Sequence, residues 1–228
     1  MKTAIIVFPG TNREKDMADA IETVSGNRPE LIWHKETSLK DYDLIVLPGG
    51  FSYGDYLRCG AMAAHSPIMK EVIRQAERGT RIFGVCNGFQ MLIETQILPG
   101  ALLQNESLKF ICKNVHLKAE NTSASFTKEL SNTPIIHVPI AHGDGNYFAN
   151  DNIIAELKAH DQIAFRYCDA SGNITKENPN GSTDNIAGIY NKRKTILGMM
   201  PHPENATLGH HNNLSGIKLF KGICETLA

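Results

Sequence analysis

The sequence predicts an α/β protein: a three-layer α/β/α sandwich built on a mostly parallel, doubly wound sheet, with an antiparallel or mixed extension. Three observations predict it. Through the first hundred residues, short apolar runs alternate with segments of helical spacing in the order β-α-β-β-α-β-α, the pattern of a sheet with helices on both faces. The runs (IIVF, LIVL, IFGV) carry no charged or polar side chain, as expected of strands buried on both faces. After Leu98-Pro99-Gly100 strand-like runs succeed one another with few helical stretches between them.

The elements follow in order. Residues 3–8 read as a first strand ended by Pro9-Gly10. Thr11 or Asn12 is the expected cap of a helix whose Met17, Ala18, Ile21 and Val24 share one face, with Gly26 closing it. Residues 31–34 and 42–47 are the next strands, the second ended by Pro48-Gly49-Gly50. Ser66-Pro67 opens a helix with Ile68, Met69, Val72, Ile73 and Ala76 as its buried stripe and Gly79 as its end. Ile82, Phe83 and Val85 form the central strand, and Phe89, Met91, Leu92 and Ile93 the helix after it. Strands are then expected at 108–117, 123–127, 134–139, 163–167, 186–190 and 196–199, with 169–184 a long polar turn. A last helix is expected over 213–227, with Leu214, Ile217, Phe220, Ile223 and Cys224 facing the core. No repeat or linker divides the chain, so 1–228 is expected to be a single domain.

Composition excludes several function classes. A net charge of −1 offers no electrostatic case for nucleic acid or an anionic membrane. No apolar run approaches the ~20 residues that span a bilayer, and the opening MKTAIIVFPG reads as a strand rather than a leader. Cys59, Cys86, Cys112, Cys168 and Cys224 are scattered, odd in number and form no CxxC pair. That usage argues against a disulfide scaffold or zinc site and for a reducing compartment, the cytoplasm by default.

Chemistry concentrates at three places. In GVCNG, glycines stand two residues before and two after Cys86, at a strand-to-helix junction. This is the spacing of a nucleophile elbow with Cys in place of Ser. The turn would expose the sulfur at the positive end of the following helix, where a thiolate is favoured; the plainer alternative is a small core cysteine. In GMMPHPE, His202 and Glu204 follow a short strand, two apart on a backbone kept extended by prolines. Glu204 would hold one imidazole nitrogen while the other faces Cys86; the alternative is an exposed loop holding both by chance. In PGGFSYGD, paired glycines after a strand let backbone N–H groups turn toward a ligand. With the N–H of Asn87 they would form an oxyanion hole; a surface turn or a phosphate loop is the alternative, the latter lacking a GK[ST] sequel.

These residues resemble a known family. GVCNGFQ (84–90), the PGG loop and PHPE are similar to the class I, triad-type glutamine amidotransferases, whose fold is flavodoxin-like. The segments 49–63, 86–92, 139–147 and 198–204 are more similar still to the free-standing glutaminase subunits of one purine-pathway synthase, nearly end to end and in order. The resemblance implies that Cys86 attacks the side-chain amide of L-glutamine, His202 moves the proton and Glu204 orients His202. It implies oxyanion donors at Gly50 and Asn87, and substrate contacts at Gly49, Phe51, Gln90 and His142. It also implies partners: a large synthetase subunit that holds ATP and magnesium, and a small accessory subunit. No cofactor or metal is implied for this chain itself.

Asp144 is a departure, since the family more often has Glu there, and Cys59 stands where a small residue is expected and reads as packing. The pair His210-His211 reads as a solvated loop before the last helix rather than as ligands. Arg58 is open between a partner contact and a structural ion pair. Two rival functions remain: a stand-alone cysteine hydrolase of the same general fold, and a non-catalytic partner-binding module. The intact Cys, His and Glu set counts against the second.

Overall fold

The computed structural model describes residues 1–55, 58–175 and 178–225. Its strands are β1 (Thr3–Val7), β2 (Glu30–Trp33), β3 (Leu44–Leu47), β4 (Arg81–Val85), β5 (Ala101–Leu103), β6 (Ile111–Ala119), β7 (Ile135–His142), β8 (Asn146–Phe148), β9 (Ile163–Cys168), β10 (Ile186–Tyr190) and β11 (Ile196–Met199). Its α-helices are α1 (Glu14–Ser25), α2 (Cys59–Ala64), α3 (Pro67–Arg78), α4 (Asn87–Glu94), α5 (Asp151–Ala159) and α6 (Ile217–Glu225). Nine strands form one sheet in the order β2-β1-β3-β4-β11-β10-β9-β6-β7, and β5 pairs with β8 in a small second sheet.

Pairings from β2 through β11 are parallel. From β11 onward they are antiparallel. This is the expected parallel sheet with an antiparallel extension. The central strands β3, β4 and β11 are buried at every position, because helices cover both faces. Phe83 of β4 packs edge-on against Phe220 of α6 at 6.2 Å, while a side chain at the next residue, Gly84, would run into Leu92 of α4. Helices α4 and α6 therefore lie on opposite faces. Edge strand β7 alternates buried and half-buried residues, and its Pro139 is tolerated because an edge strand need not donate on both sides.

Several expectations are corrected. Helix α1 starts at Glu14 with no side-chain cap. Thr11 instead takes the Phe8 N–H and meets the Ser52 hydroxyl. Residues 123–127 form turns and no strand. The Asn121 carboxamide oxygen accepts the N–H groups of Ser123 and Ala124 and the Ser123 hydroxyl, an Asx turn that outcompetes extension. The last helix begins at Ile217; Leu214 is 54 % exposed, and Leu219 takes the core position beside Phe220 and Ile223. Leu227 lies outside the described residues. Two helices went unread. Helix α2 is too short to show a period. Helix α5 carries a signal that was legible: Asn150, whose side chain accepts the Ile153 N–H. Both glycine stops hold, with Gly26 and Gly79 in the left-handed region.

Candidate active site

Three adjacent parallel strands end level. Register pairs Leu47 of β3 with Gly84 of β4, and Val85 of β4 with Met199 of β11. The residues that follow, Gly49, Cys86 and His202, therefore leave the sheet along one edge, the carboxyl edge where doubly wound folds place their sites. Cys86 N–H continues the ladder onto the Met199 carbonyl at 2.8 Å.

Cys86 has φ 51° and ψ −108°, backbone that a non-glycine residue adopts only under constraint. The constraint comes from both flanks. A Cβ on Gly88 would sit 1.9 Å from the Leu47 carbonyl oxygen, and one on Gly84 would sit 2.5 Å from Leu92 Cδ1 and 2.9 Å from the Gly88 backbone. Both glycines are thus required for β4 and α4 to meet at so sharp a turn. Gly88→Ala is expected to cost about 3 kcal/mol or more, because the clash is with backbone that cannot step aside. Gly26→Ala, with nothing within 4 Å of the added Cβ, costs about 1 kcal/mol through its positive φ alone. Chemical denaturation of the two variants checks the contrast, and equal losses would remove the steric account of the elbow.

His202 and Glu204 are buried, and Glu204 Oε1 accepts the His202 Nδ1–H at 2.7 Å. The backbone N–H of His202 is held by the Pro139 carbonyl at 2.8 Å. Gly49 sits against both partners: a Cβ there would fall 2.6 Å from His202 Cε1 and 3.1 Å from Cys86 Cβ. Burial pushes the His202 imidazole toward its neutral form, but the Glu204 carboxylate and the Cys86 sulfur overcome it and raise the pKa to about 10. Among the described residues His202 Nε2 meets no nitrogen or oxygen partner; Cys86 raises its pKa both by charge and by side-chain hydrogen bonding. At neutral pH the site therefore holds a protonated imidazole between the Glu204 carboxylate and the Cys86 sulfur.

Strand β7 is last in the sheet order, yet it closes the site. The extension curls so that the Ala141 carbonyl lies 3.9 Å from Cys86 Sγ. His142, next in sequence, is buried. Its Nδ1 donates to Asn105 Oδ1 at 3.0 Å. The Asn105 orientation is set on its other side, where Nδ2 donates to the carbonyls of Lys109 and His142. Burial, then the charge of His202, lower the His142 pKa to about 4. His142 is therefore neutral at pH 7 and keeps Nε2 as a buried acceptor without a partner among the described residues.

The loop after β3 wraps the other side. Gly50 has φ 124°, and a Cβ on it would collide with Asn12. Ser52 N–H donates to Asn87 Oδ1 at 2.9 Å, and Tyr53 OH reaches Ser66 Oγ at 2.8 Å. Phe51 is 44 % exposed and stacks on Phe110 at 6.2 Å. Gln90 is buried, with its amide already engaged: Oε1 accepts from Asn87 Nδ2 and Cys59 Sγ, and Nε2 donates to the Asp144 carbonyl. Cys59 is packed, as expected. Asp144 meets this network through its backbone, and its side chain is exposed. Arg58 resolves as an ion pair with Glu94 at 2.5 Å. His211 Nδ1 accepts the Thr207 and Leu208 N–H groups, fixing a turn ahead of α6.

Residues 1–219 match the CobB/CobQ-like glutamine amidotransferase domain. The phosphoribosylformylglycinamidine synthase subunit PurQ of Rhodospirillum rubrum is 51 % identical over 230 aligned positions, covering 100 % of both chains. The chain belongs to the PurQ family of glutamine amidotransferases. The corresponding subunit of Rhizobium etli is 46 % identical, again over 100 % of both chains. A chain in the structure of PurLQS from Thermotoga maritima superposes with a TM-score of 0.86 at 42 % identity, covering 100 % of this chain and 99 % of that one.

In this amidotransferase, then, Cys86, His202, Glu204, Gly49 and His142 converge at one sheet edge, with Asn87, Gln90 and the 50–51 loop around them. Sequence reasoning missed Asn105, whose role is visible only through His142. It also missed the hold of the Asn87 side chain on Ser52. An asparagine in a loop and one opening a helix carry no local mark of either role.

Proposed function

We propose that this chain is the glutaminase subunit of a phosphoribosylformylglycinamidine synthase. It hydrolyses L-glutamine to glutamate and ammonia. The ammonia passes to a PurL-type synthetase, which uses ATP and magnesium to convert formylglycinamide ribonucleotide to formylglycinamidine ribonucleotide in purine synthesis. A small PurS-type subunit completes the assembly. The reading places the protein in the cytoplasm, and no helix among the described residues is long and apolar enough to cross a membrane.

The observation that carries the reading is the buried Cys86–His202–Glu204 row at the ends of three level strands, in a chain of this family. Cys86 sulfur attacks the glutamine side-chain carbonyl carbon, forming a C–S bond and a tetrahedral oxyanion. Backbone N–H groups of Gly50 and Asn87 stabilise that oxygen. The proton held on His202 moves to the amide nitrogen, the C–N bond breaks, and ammonia leaves from a thioester. Water then attacks the thioester and His202 takes its proton. Collapse releases glutamate and restores the sulfur–imidazolium pair. Glu204 holds the Nδ1 proton throughout. Gly49, lacking a side chain, lets Cys86 and His202 close against the loop that meets the substrate. The bare Nε2 of His142 is an acceptor for the substrate's α-ammonium group, and Phe51 shields the mouth. Gln90 contacts substrate through the amide proton its internal bonds leave over. The chemistry assigned to this chain uses its own side chains and backbone, and ATP and magnesium belong to the synthetase.

The test is a glutaminase assay of the purified chain, alone and with its synthetase and small partner. Weak hydrolysis alone and strong stimulation in the complex are expected, because free turnover would waste glutamine. High peptidase activity in isolation, indifferent to partners, would reject the reading in favour of a stand-alone hydrolase.

A further inference from the structure

The Asn87 side chain ties together the two halves of the oxyanion site. The residue is 1 % exposed and directly follows the nucleophile. Its Oδ1 accepts the Ser52 N–H at 2.9 Å, across 35 positions of sequence. Its Nδ2 donates to Gln90 Oε1 at 2.9 Å, and Gln90 Nε2 donates to the Asp144 carbonyl at 2.8 Å. The Asn87 carboxamide thus joins the elbow to the loop carrying Gly50, and through the Gln90 carboxamide to the loop after β7.

The 48–55 loop needs such a hold. Gly50, Tyr53 and Gly54 all have positive φ, so the loop is not a conformation that local preference maintains. Its outer side rests on residues 9–12: the Pro9 carbonyl accepts the Tyr53 N–H at 2.6 Å, and a Cβ on Gly50 would meet Asn12. On the side toward the nucleophile, the Ser52–Asn87 bond sets the spacing. An oxyanion hole works only when its donors are preorganised at a fixed separation.

We propose that Asn87 is a positioning residue for catalysis: its side chain fixes the distance between its own backbone N–H and that of Gly50, and so sets the geometry of the oxyanion hole. This rests on the glutaminase reading above. The substrate does not touch the Asn87 carboxamide, which is occupied at both ends. Its loss therefore lowers the rate of the chemical step and leaves substrate affinity in place.

The experiment compares wild type, Asn87→Ala and Asn87→Ser in the assembled synthase; neither replacement reaches the Ser52 N–H. Steady-state glutamine kinetics are measured beside the rate at which iodoacetamide alkylates Cys86. Alkylation needs the thiol and His202 but no oxyanion hole. The expected result is a fall in kcat of about 100-fold, at the lower end of the loss of one oxyanion donor, with KM and alkylation each within about threefold of wild type. A rise in KM with kcat kept would make Asn87 a substrate contact and overturn the proposal. So would unchanged kcat. Failure of both variants to fold, or a parallel loss of alkylation, would make Asn87 a structural residue of the elbow and equally overturn it. Failure of the glutaminase reading looks different, because wild type itself would then hydrolyse no glutamine.

Discussion

Replacing Cys86 with alanine is expected, on the proposed function, to leave the assembled synthase able to use ammonium salts and unable to use glutamine. Glutamine-dependent amidation is expected to fall by at least ~10⁴-fold, since removing a nucleophile leaves only binding and oxyanion stabilisation. Ammonium-driven synthesis should stay near the wild-type rate, because ammonia added from solution bypasses the thioester. The variant is a clean one structurally. Alanine keeps the Cβ and hence the strained φ of 51° at position 86, and only a sulfur atom is lost from a site bordered by Gly49 and the Ala141 carbonyl. Unfolding free energy should change by no more than about 1 kcal/mol. Loss of both activities would assign Cys86 to assembly or folding and sink the proposed chemistry.

Glu204→Gln has the second largest effect, roughly 10²–10⁴-fold in kcat with the glutamine KM little changed. The reason is electrostatic. His202 keeps its proton because the Glu204 carboxylate and the Cys86 sulfur outweigh burial and raise its pKa to about 10. Glutamine at 204 still accepts the Nδ1–H but carries no charge, so burial regains its hold and the folded-state pKa drops. The sign in the rate profile follows. In wild type the proton needed by the leaving ammonia is present below the raised pKa and is lost as pH climbs through about 10. In the variant the alkaline limb of kcat/KM moves down toward the ordinary histidine range, about pH 6.5 or below. The linked stability behaves alike: His202 stabilises the fold fully below its unfolded pKa of ~6.5, and that contribution drains away as pH rises through the folded value. Parallel pH–rate profiles of the two proteins decide the matter. An alkaline limb that does not move would detach Glu204 from the His202 charge.

Much of this was legible along the chain because it is local. Continuous apolar runs mark strands buried on both faces, and Gly84, Cys86 and Gly88 mark the elbow, since a Cβ at either glycine would meet backbone or the neighbouring Leu92. His202 and Glu204 form their hydrogen bond within one short segment, but Pro203–Ala206 is a 3-10 turn rather than the extended backbone expected from the prolines, because Pro203 takes the first position of a helical turn as readily as an extended one. Where local signals misled, a polar side chain had found another partner. Asn121 turned residues 123–127 away from extension, and Thr11 capped nothing because Phe8 and Ser52 had claimed it.

Spacing and residue type by themselves determined which residues to look for: a cysteine on a tight turn, a histidine with its carboxylate, and a glycine loop at the end of a strand. Only the tertiary structure decided that the last strand in the sheet order brings the Ala141 carbonyl to the sulfur and His142 within electrostatic reach of His202, and that Asn87 grips Ser52. Periodicity reports what one segment buries. It carries no information on sheet curvature or on which buried amide faces which loop, because those are set by contacts between residues dozens of positions apart.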